Sequence, residues 1–236
     1  MNRIKFVTFL SVLSLFFFFM VLPAQAEESS SCFAFISDAH VDEISTYQNN
    51  FKAAINYFNN HLKPPFIIDG GDIVSKGKYL VYQNIIKNSL NPVYVVPGNH
   101  DRGCLVLGVC SAKIVINFNS YRLIGFDSLA IDYSWLEAQL KDAPLGKIVL
   151  FAHYPVETPT YVLSYQMNSV DRSKIENLMT KYSVRAFLSG HAHEPFNYYN
   201  ATTGILDIGA PATARKRSFQ KICLTGGGVT SSLVGF

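Results

Sequence analysis

Short apolar runs alternate along the chain with segments whose apolar residues recur every three or four positions. The runs predict strands at CFAFIS (32–37), PFIIDGGD (65–72), PVYVV (92–96), KIVLFA (147–152) and VRAFLS (184–189). The helical spacing predicts helices over 49–62, 79–90 and 173–182. Because strands and helices alternate, the chain is predicted to form an α/β domain with at least partly parallel strand pairing.

The remaining pattern adds antiparallel elements. KIVINF (113–118) and YRLIGFD (121–127) predict a pair of strands, and GILDIGA (204–210) and KICLTGGG (221–228) predict hairpin-forming strands. Ser134 is predicted to cap a helix over 135–140, with Glu137 completing a capping box.

The first 26 residues have the pattern of an export signal. Arg3 and Lys5 precede an apolar run over 7–22, and Ala24-Gln25-Ala26 follows Pro23 as a small-x-small cleavage site. The run is shorter than the roughly 20 residues that span a bilayer. We therefore expect residues 1–26 to be a cleaved signal peptide, with an uncleaved anchor as the alternative. Residues 27–236 would form one secreted or periplasmic domain with no stable membrane anchor.

The charge balance gives no sign of a nucleic-acid or membrane-surface partner. Two of the 20 basic residues lie in the predicted signal, which leaves 18 against 17 acidic residues. The mature domain is therefore nearly neutral, and its composition, 49% hydrophobic and 16% charged, is that of a globular protein.

Four cysteines permit disulfides in an oxidising compartment. The short loop between Cys104 and Cys110 favours that pair, and Cys32 and Cys223 would then pair or stay as buried thiols. A zinc knuckle is the competing interpretation, but no CxxC spacing supports it.

Polar clusters follow five of the predicted strands, and five of the six histidines lie in them. In chain order they are Asp38 with His40, Asp72, Asn99 to Asp101, His153, and His191 with His193. Each cluster alone is weak, since a strand-end His or Gly-Asp is usually part of a turn. Because the carboxyl ends of parallel strands meet at one edge of a sheet, the five together predict a functional site.

These clusters resemble the five sequence blocks of the calcineurin-like metallophosphoesterases. The matching stretches are DAH (38–40), GGDIV (70–74), GNHD (98–101), AHYP (152–155) and GHAH (190–193). The resemblance implies a four-layer α/β/β/α sandwich, in which two packed sheets are flanked by helices. It also implies a two-metal centre at one edge of the sheets.

The resemblance assigns a role to each polar residue. The first metal would be held by Asp38, His40 and His193, the second by Asn99, His153 and His191, and Asp72 would bridge them. Imidazole and carboxylate ligands suit divalent Mn, Fe, Zn, Co or Ni, and the sequence does not choose among them. Phosphoester hydrolysis would proceed by attack of a metal-bridging hydroxide. His100 would give a proton to the leaving oxygen, and Asp101 would orient the His100 imidazole.

The implied function is an exported metal-dependent phosphoesterase acting on a small phosphodiester or a cyclic nucleotide. A phosphomonoesterase of small substrates is the alternative, and a non-catalytic metal-binding protein of the same fold is a weaker one. GDIVSKG (71–77) lacks the arginine of the GDxxDRG block of protein phosphatases, which argues against that branch. Tyr154 replaces a second histidine that many phosphodiesterase members carry, so any role of that histidine does not transfer.

Three segments outside the blocks bear on the substrate. The Pro- and Tyr-rich segment 154–171 is either a substrate loop or a structural loop, and the sequence does not decide. Loop 102–113 could form the other wall of a site. The basic cluster ARKRS (214–218) is more typical of solvated surface than of a phosphate clamp.

Overall fold

The computed structural model describes residues 31–162, 166–201 and 203–236. The predicted signal, 1–26, lies outside the described residues. Within them, no helix has the length and apolar character that a membrane crossing requires.

Eleven strands and five α-helices make up the described chain. The strands are β1 (Cys32–Ile36), β2 (Ile67–Asp69), β3 (Val93–Val95), β4 (Lys113–Phe118), β5 (Tyr121–Phe126), β6 (Ile148–Ala152), β7 (Ala186–Ser189), β8 (Phe196–Asn200), β9 (Ile205–Gly209), β10 (Ser218–Thr225) and β11 (Gly228–Gly235). The helices are α1 (Ser45–Tyr57), α2 (Tyr79–Ile86), α3 (Tyr133–Lys141), α4 (Ser169–Lys181) and α5 (Thr213–Lys216), and a π-helical turn, Phe58–Leu62, continues α1.

The strands form two sheets. One has the order β11-β10-β1-β2-β3, with β1, β2 and β3 parallel and β10 and β11 antiparallel. The other has the order β4-β5-β6-β7-β9-β8, with β5, β6, β7 and β9 parallel. Each sheet therefore has a parallel centre whose strand ends carry the predicted polar clusters.

Side-chain alternation along the strands produces the layers. In β1, Phe33 and Phe35 belong to the core between the two sheets, whereas Ala34 and Ile36 belong to a second core with Phe51 of α1. Successive side chains of a strand point to opposite faces, so a strand that is apolar throughout must be covered on both sides.

The second sheet repeats this arrangement. Val149 and Phe151 of β6 face the other sheet, whereas Leu150 packs with Leu136 of α3 and Ile175 of α4. Helices, sheet, sheet and helices therefore form four layers, and the predicted α/β/β/α sandwich is confirmed.

The structure differs from the sequence prediction at the ends of four helices. Helix α2 ends at Ile86, before the predicted residue 90. Helix α1 begins at Ser45, before the predicted residue 49, and its last predicted turn is π-helical. Helix α3 is capped by Asp132, whose side chain accepts from the Trp135 backbone N–H at 3.0 Å, so the predicted Ser134 cap is wrong. Helix α4 begins at Ser169 behind an Asn168 cap.

The C-terminal strands pair differently from a single hairpin. Strand β9 forms a hairpin with β8, a strand the sequence pattern did not predict, and β10 forms one with β11. These hairpins lie in different sheets.

Both cysteine pairs are bonded. Cys104 joins Cys110, as favoured from the sequence, and Cys32 joins Cys223 across the β1–β10 register. Of the two outcomes left open for Cys32 and Cys223, pairing is the observed one.

Candidate metal centre and active site

The predicted site residues come together where the carboxyl ends of the central strands of both sheets meet. Strand β1 leads to Asp38 and His40, β2 to Asp72, and β3 to Asn99 and His100. From the second sheet, β6 leads to His153, and β7 to His191 and His193. Two groups of potential metal ligands result, Asp38 with His40 and His193, and Asp72 with His153 and His191.

The backbone of these ligand residues is unusual. Five of these candidate ligands have positive φ angles: Asp38 (52°), His40 (41°), Asp72 (54°), His191 (63°) and His193 (60°). Non-glycine residues adopt this left-handed conformation rarely and at a cost of about 1–3 kcal/mol each in sparsely populated regions, and Asp and His tolerate it better than most. Such a concentration indicates that side-chain direction at the site outweighs local backbone preference.

In the second group, three possible acceptor atoms surround the His153 imidazole. The His153 Nε2 atom lies 3.0 Å from Asn99 Oδ1, 3.2 Å from His191 Nδ1 and 3.3 Å from Asp72 Oδ2. One proton on Nε2 can satisfy only one of these three acceptors. The uncharged amide of Asn99 therefore lies beside the second group, where the resemblance places a ligand.

The first group surrounds Asp38. Asp38 Oδ1 lies 3.2 Å from His193 Nε2, but it is buried and has no hydrogen-bond partner within the described chain. Asp38 Oδ2 accepts from the His191 backbone N–H at 2.9 Å, which ties this group to the other. An unpartnered buried carboxylate oxygen is costly unless a cation faces it.

Asp72 stands between the two groups. Its Oδ2 atom lies 3.3 Å from His153 Nε2 and 3.9 Å from His40 Nε2, so it faces an imidazole of each group. Its Oδ1 atom accepts from the His100 backbone N–H at 2.8 Å. The hydrogen bond fixes one oxygen and leaves the other for the shared centre, the position a bridging ligand requires.

The charges at the centre depend on this shared carboxylate. Burial alone would raise the pKa of Asp72, but the hydrogen bond and charge of His153 lower it to about 2. Burial alone would lower the pKa of His153, but Asp72 raises it to about 9. Burial and the charge of His153 lower the pKa of His191 to about 4. Without metal, one proton on His153 therefore occupies the middle of the second group at neutral pH.

His100 lies at the rim of the centre. Its imidazole is 47% exposed, and Nε2 lies 4.0 Å from Asp72 Oδ2. Its ring meets His40 edge-on with a centroid distance of 5.3 Å. An exposed imidazole beside the shared carboxylate is placed to meet a bound substrate.

The predicted orienting role of Asp101 differs from what the structure shows. Asp101 Oδ2 accepts from three backbone N–H groups, those of Asp72 at 2.6 Å, Gly98 at 2.9 Å and Ile73 at 3.3 Å. Among the hydrogen bonds of the described residues, none joins Asp101 to His100. The Asp101 side chain points inward because these backbone N–H groups need an acceptor. Asp101 therefore holds Asp72 and the 98–101 turn in place.

Glycines allow the loops to approach so closely. A Cβ on Gly98 would lie 2.2 Å from Asp72 Oδ1, and one on Gly190 would lie 1.9 Å from Ser37 Oγ. Any larger residue would displace the ligands that these turns carry.

Three contacts to the ligand imidazoles were not predicted. Ser75 Oγ lies 2.7 Å from His40 Nδ1, and the Gly70 carbonyl lies 2.8 Å from His153 Nδ1. The Tyr154 ring packs on His191 with centroids 4.1 Å apart. Partners of this kind fix the ring orientation and leave the other nitrogen free for a metal. The only sequence signal for them is position: Ser75 directly follows GGDIV (70–74), and Tyr154 lies within AHYP (152–155).

A cavity of about 450 Å³ opens from the first group. Its walls include Asp38, His40, His193 and His100, and it continues outward past Tyr47, Glu43, Ser75, Lys76, Ala212 and Arg215. Asp72, His153 and His191 do not line this cavity.

The two loops considered from sequence behave differently. In segment 154–171, Val156 and Met167 are buried in the helix-side core, and Tyr161 is 72% exposed, so the described part is largely structural. In loop 102–113, Leu105, Val106 and Leu107 are exposed, and Leu107 lines a separate hollow with Leu80 rather than the cavity of the centre.

The ligand set fits divalent metal ions. Bonds of about 2.1 Å to one ion hold neighbouring ligand atoms about 3.0–3.4 Å apart, and the distances around His153 Nε2 are 3.0–3.3 Å. The donors are imidazoles, carboxylates and one amide, and the buried Asp38 Oδ1 atom has only the His193 imidazole beside it, at 3.2 Å. Such mixed nitrogen and oxygen donors suit first-row divalent metals.

Comparison with known proteins agrees with this geometry. The family model of the calcineurin-like phosphoesterases matches residues 33–195. A protein of Arcobacter nitrofigilis named "probable glycerophosphodiester phosphodiesterase GpdQ" is 27% identical over 191 residues, covering 67% of this chain and 70% of that protein.

Solved structures share the fold. A dimetal phosphatase from Danio rerio superposes with a TM-score of 0.67 at 12% identity, covering 87% of this chain and 98% of its own. Purple acid phosphatase PPD1 from yellow lupin (Lupinus luteus) gives a TM-score of 0.64 at 13% identity, covering 88% of this chain and 52% of its own. Together with the family match over more than half of its length, these observations show that the chain belongs to the calcineurin-like phosphoesterase family of metal-dependent hydrolases.

Proposed function

We propose that the chain is an exported phosphodiesterase that hydrolyses small phosphodiesters at a centre of two divalent metal ions. The observation that carries this proposal is Asp72, whose free oxygen faces an imidazole of each ligand group. A shared carboxylate between two ligand sets is the arrangement that holds two ions close enough to act on one phosphate.

Two observations favour diesters. The relative from Arcobacter nitrofigilis is named as a phosphodiesterase of glycerophosphodiesters. The cavity beside the first group, of about 450 Å³, leaves room for an alcohol group beyond the phosphate. Cyclic nucleotides belong to the same substrate class.

The residues of the chain divide the work. Asp38, His40 and His193 would hold one ion, and Asn99, His153 and His191 the other, with Asp72 shared. When bound, the ions supply an acidified water and neutralise charge on the phosphoryl oxygens. The water oxygen forms a bond to phosphorus, and the bond from phosphorus to the leaving oxygen breaks. His100 gives that oxygen its proton, because its exposed ring borders the cavity.

Turnover of two chromogenic esters tests the proposal. Protein loaded with Mn²⁺ is expected to hydrolyse bis-p-nitrophenyl phosphate with a higher kcat/KM than p-nitrophenyl phosphate. The His100→Ala variant serves as the matched control for contaminating hydrolases. A higher kcat/KM on the monoester would favour a phosphomonoesterase. No turnover of either ester, with two metals bound per chain, would contradict the proposal that the chain hydrolyses phosphoesters.

Export is supported by the N-terminal pattern and by the two disulfides. Both cysteine pairs are bonded, and such bonds persist in oxidising compartments. Mass spectrometry of the protein from the exported fraction is expected to show Glu27 as its first residue. A Leu13→Arg variant, which interrupts the apolar run, should remain inside the cell. An uncleaved native chain in the membrane fraction would support an anchor instead.

A further inference from the structure

Three consecutive basic residues, Arg215, Lys216 and Arg217, have different surroundings. Lys216 Nζ forms an ion pair with Glu194 Oε1 at 2.7 Å, and an Arg217 Nη atom donates to the Phe236 carbonyl at 3.0 Å. Over the described ranges, Arg215 has no hydrogen bond or ion pair. Only Arg215 of the three lines the cavity beside the first metal group.

The position of Arg215 is fixed by the metal site itself. Ala212 N–H donates to the His193 carbonyl at 3.1 Å, and Thr213 N–H donates to the Ser37 carbonyl at 3.0 Å. The next residue, Ala214, accepts from the Asn50 side chain at 2.8 Å. Helix α5 is therefore hydrogen-bonded to both strand ends that carry the first group, and its backbone places the exposed Arg215 side chain at the cavity wall.

A second cation, Lys76, lies in the same cavity wall. Its Nζ atom donates to the Glu43 carbonyl at 3.0 Å. Its backbone N–H donates to Asp42 at 2.9 Å, and the same carboxylate accepts from Ser75 and Lys78. This brace holds the 75–78 loop against the segment that follows His40. Glu43 is the one acidic side chain of the outer wall, so two cations there face one carboxylate.

The cavity also borders His100, so it would receive the alcohol to which His100 gives its proton. We propose that Arg215 and Lys76 form a subsite for a second anionic group, a phosphate or carboxylate carried by the leaving alcohol. The preferred substrates are then phosphodiesters of an anionic polyol. This inference rests on the proposed function, since it describes which diester the same site selects.

The chemistry of the wall fits such an alcohol. A guanidinium binds phosphate and carboxylate through paired N–H donors, and an ammonium binds them as a point charge. Glu43 and the Tyr47 hydroxyl can take hydrogen bonds from or give them to a polyol. Because the two cations are partly solvated, we expect an effect of about five- to tenfold rather than of several powers of ten, and it should weaken as salt is raised.

The test uses two diesters that differ by one phosphate, glycerophosphoinositol and glycerophosphoinositol 4-phosphate, with Mn²⁺-loaded protein. The native chain is expected to show about a tenfold higher kcat/KM for the phosphorylated member at low salt. Arg215→Ala should reduce this ratio to about one, and Arg215→Lys should restore part of it. Lys216→Ala, which removes the ion-paired neighbour, should keep the native ratio.

Three results overturn the subsite. The first is a native ratio near one, and the second is a ratio that Lys216→Ala lowers as much as Arg215→Ala does. The third is hydrolysis of bis-p-nitrophenyl phosphate without hydrolysis of either inositol ester. A chain inert towards all three esters would contradict the proposed function instead. The subsite is then judged by calorimetric affinity for the same pair, with the same variants and the same tenfold criterion.

Discussion

The two ligand groups differ in charge and in their relation to the cavity, which only the first group lines. The His153 side chain of the second group is fully buried, whereas the His193 side chain of the first is 36% exposed at the cavity. The first group contains the carboxylate of Asp38 in addition to the shared Asp72. The second group has the neutral amide of Asn99 in the corresponding place.

Burial does not separate the two groups, since each has two buried ligands and one partly buried ligand, whereas charge does. A neutral amide is a weaker ligand for a divalent cation than a carboxylate. In addition, a metal must displace the proton of His153, and its pKa of about 9 reduces metal affinity by about two powers of ten at pH 7. We therefore expect the second group to release its metal first.

The largest effect should come from removing the carboxylate that the groups share. In Asp72→Ala both groups lose a ligand, and His153 loses the partner that raises its pKa. We expect metal content to fall from two ions to fewer than one per chain, with diester turnover at the level of the blank. Metal analysis after gel filtration and a bis-p-nitrophenyl phosphate assay measure both.

Asp132→Ala is the control for this change, because Asp132 caps α3 away from the centre. It should keep two metals and full turnover. If Asp72→Ala kept one ion at native affinity, the carboxylate would belong to a single group and the two groups would be independent.

His100 separates proton transfer from metal binding. Its imidazole faces the cavity at the rim of the first group but completes neither ligand set. In His100→Ala, kcat should fall by about 10²–10⁴-fold, the usual contribution of general acid catalysis, while two metals remain bound. His61→Ala, at the one histidine outside the clusters, should change neither. Loss of a metal from His100→Ala would make His100 a ligand and would contradict the assignment.

The residues that the sequence analysis singled out lie close together because they follow the strands directly. The apolar run before Asp38 or His153 ends where the strand ends, and parallel strands bring such ends together without further information. Asn99 could be assigned only by resemblance, since an uncharged amide in a turn has no distinguishing pattern. The alternation of strands and helices predicted the α/β class, whereas the four layers were implied by the resemblance.

What the sequence missed depends on contacts between distant segments. Asp101 was expected to serve its neighbour His100, yet three turn amides capture it. Arg215 was assigned to solvated surface and is exposed, but its place beside the cavity depends on hydrogen bonds from α5 to strand ends far away in the chain. Strand β8 was missed because FNYYN (196–200) has one buried residue, Phe196, and is set mainly by pairing with β9.

The pH dependence of metal binding tests the order of release. Below its pKa of about 9, His153 is protonated, and each pH unit lost should weaken the second metal about tenfold. His191 adds little above its pKa of about 4. In a Mn²⁺ titration followed by electron paramagnetic resonance, the more weakly held ion should therefore bind with about a hundredfold lower affinity at pH 6 than at pH 8.

Asn99→Asp sharpens this result, because it gives the second group its own carboxylate. The weaker ion should then bind more tightly at every pH, and the order of release should approach equality. An affinity independent of pH in the native chain would show that His153 carries no proton, and the argument from charge would fail.

The smallest effect should come from Ser75, which touches only the first group. Its hydroxyl lies 2.7 Å from His40 Nδ1 and sets the direction of that imidazole. Partners of this kind change metal affinity by about 10–100-fold, and the lower value is expected here because Asp38 and Asp72 remain. In Ser75→Ala the first metal should bind about tenfold more weakly, and excess Mn²⁺ should restore kcat. Ser231→Ala, at an exposed serine bonded to Asn197, should be silent. An equal loss of affinity at both metals would mean that the two groups are coupled, because a change in the first group would then reach the second through Asp72.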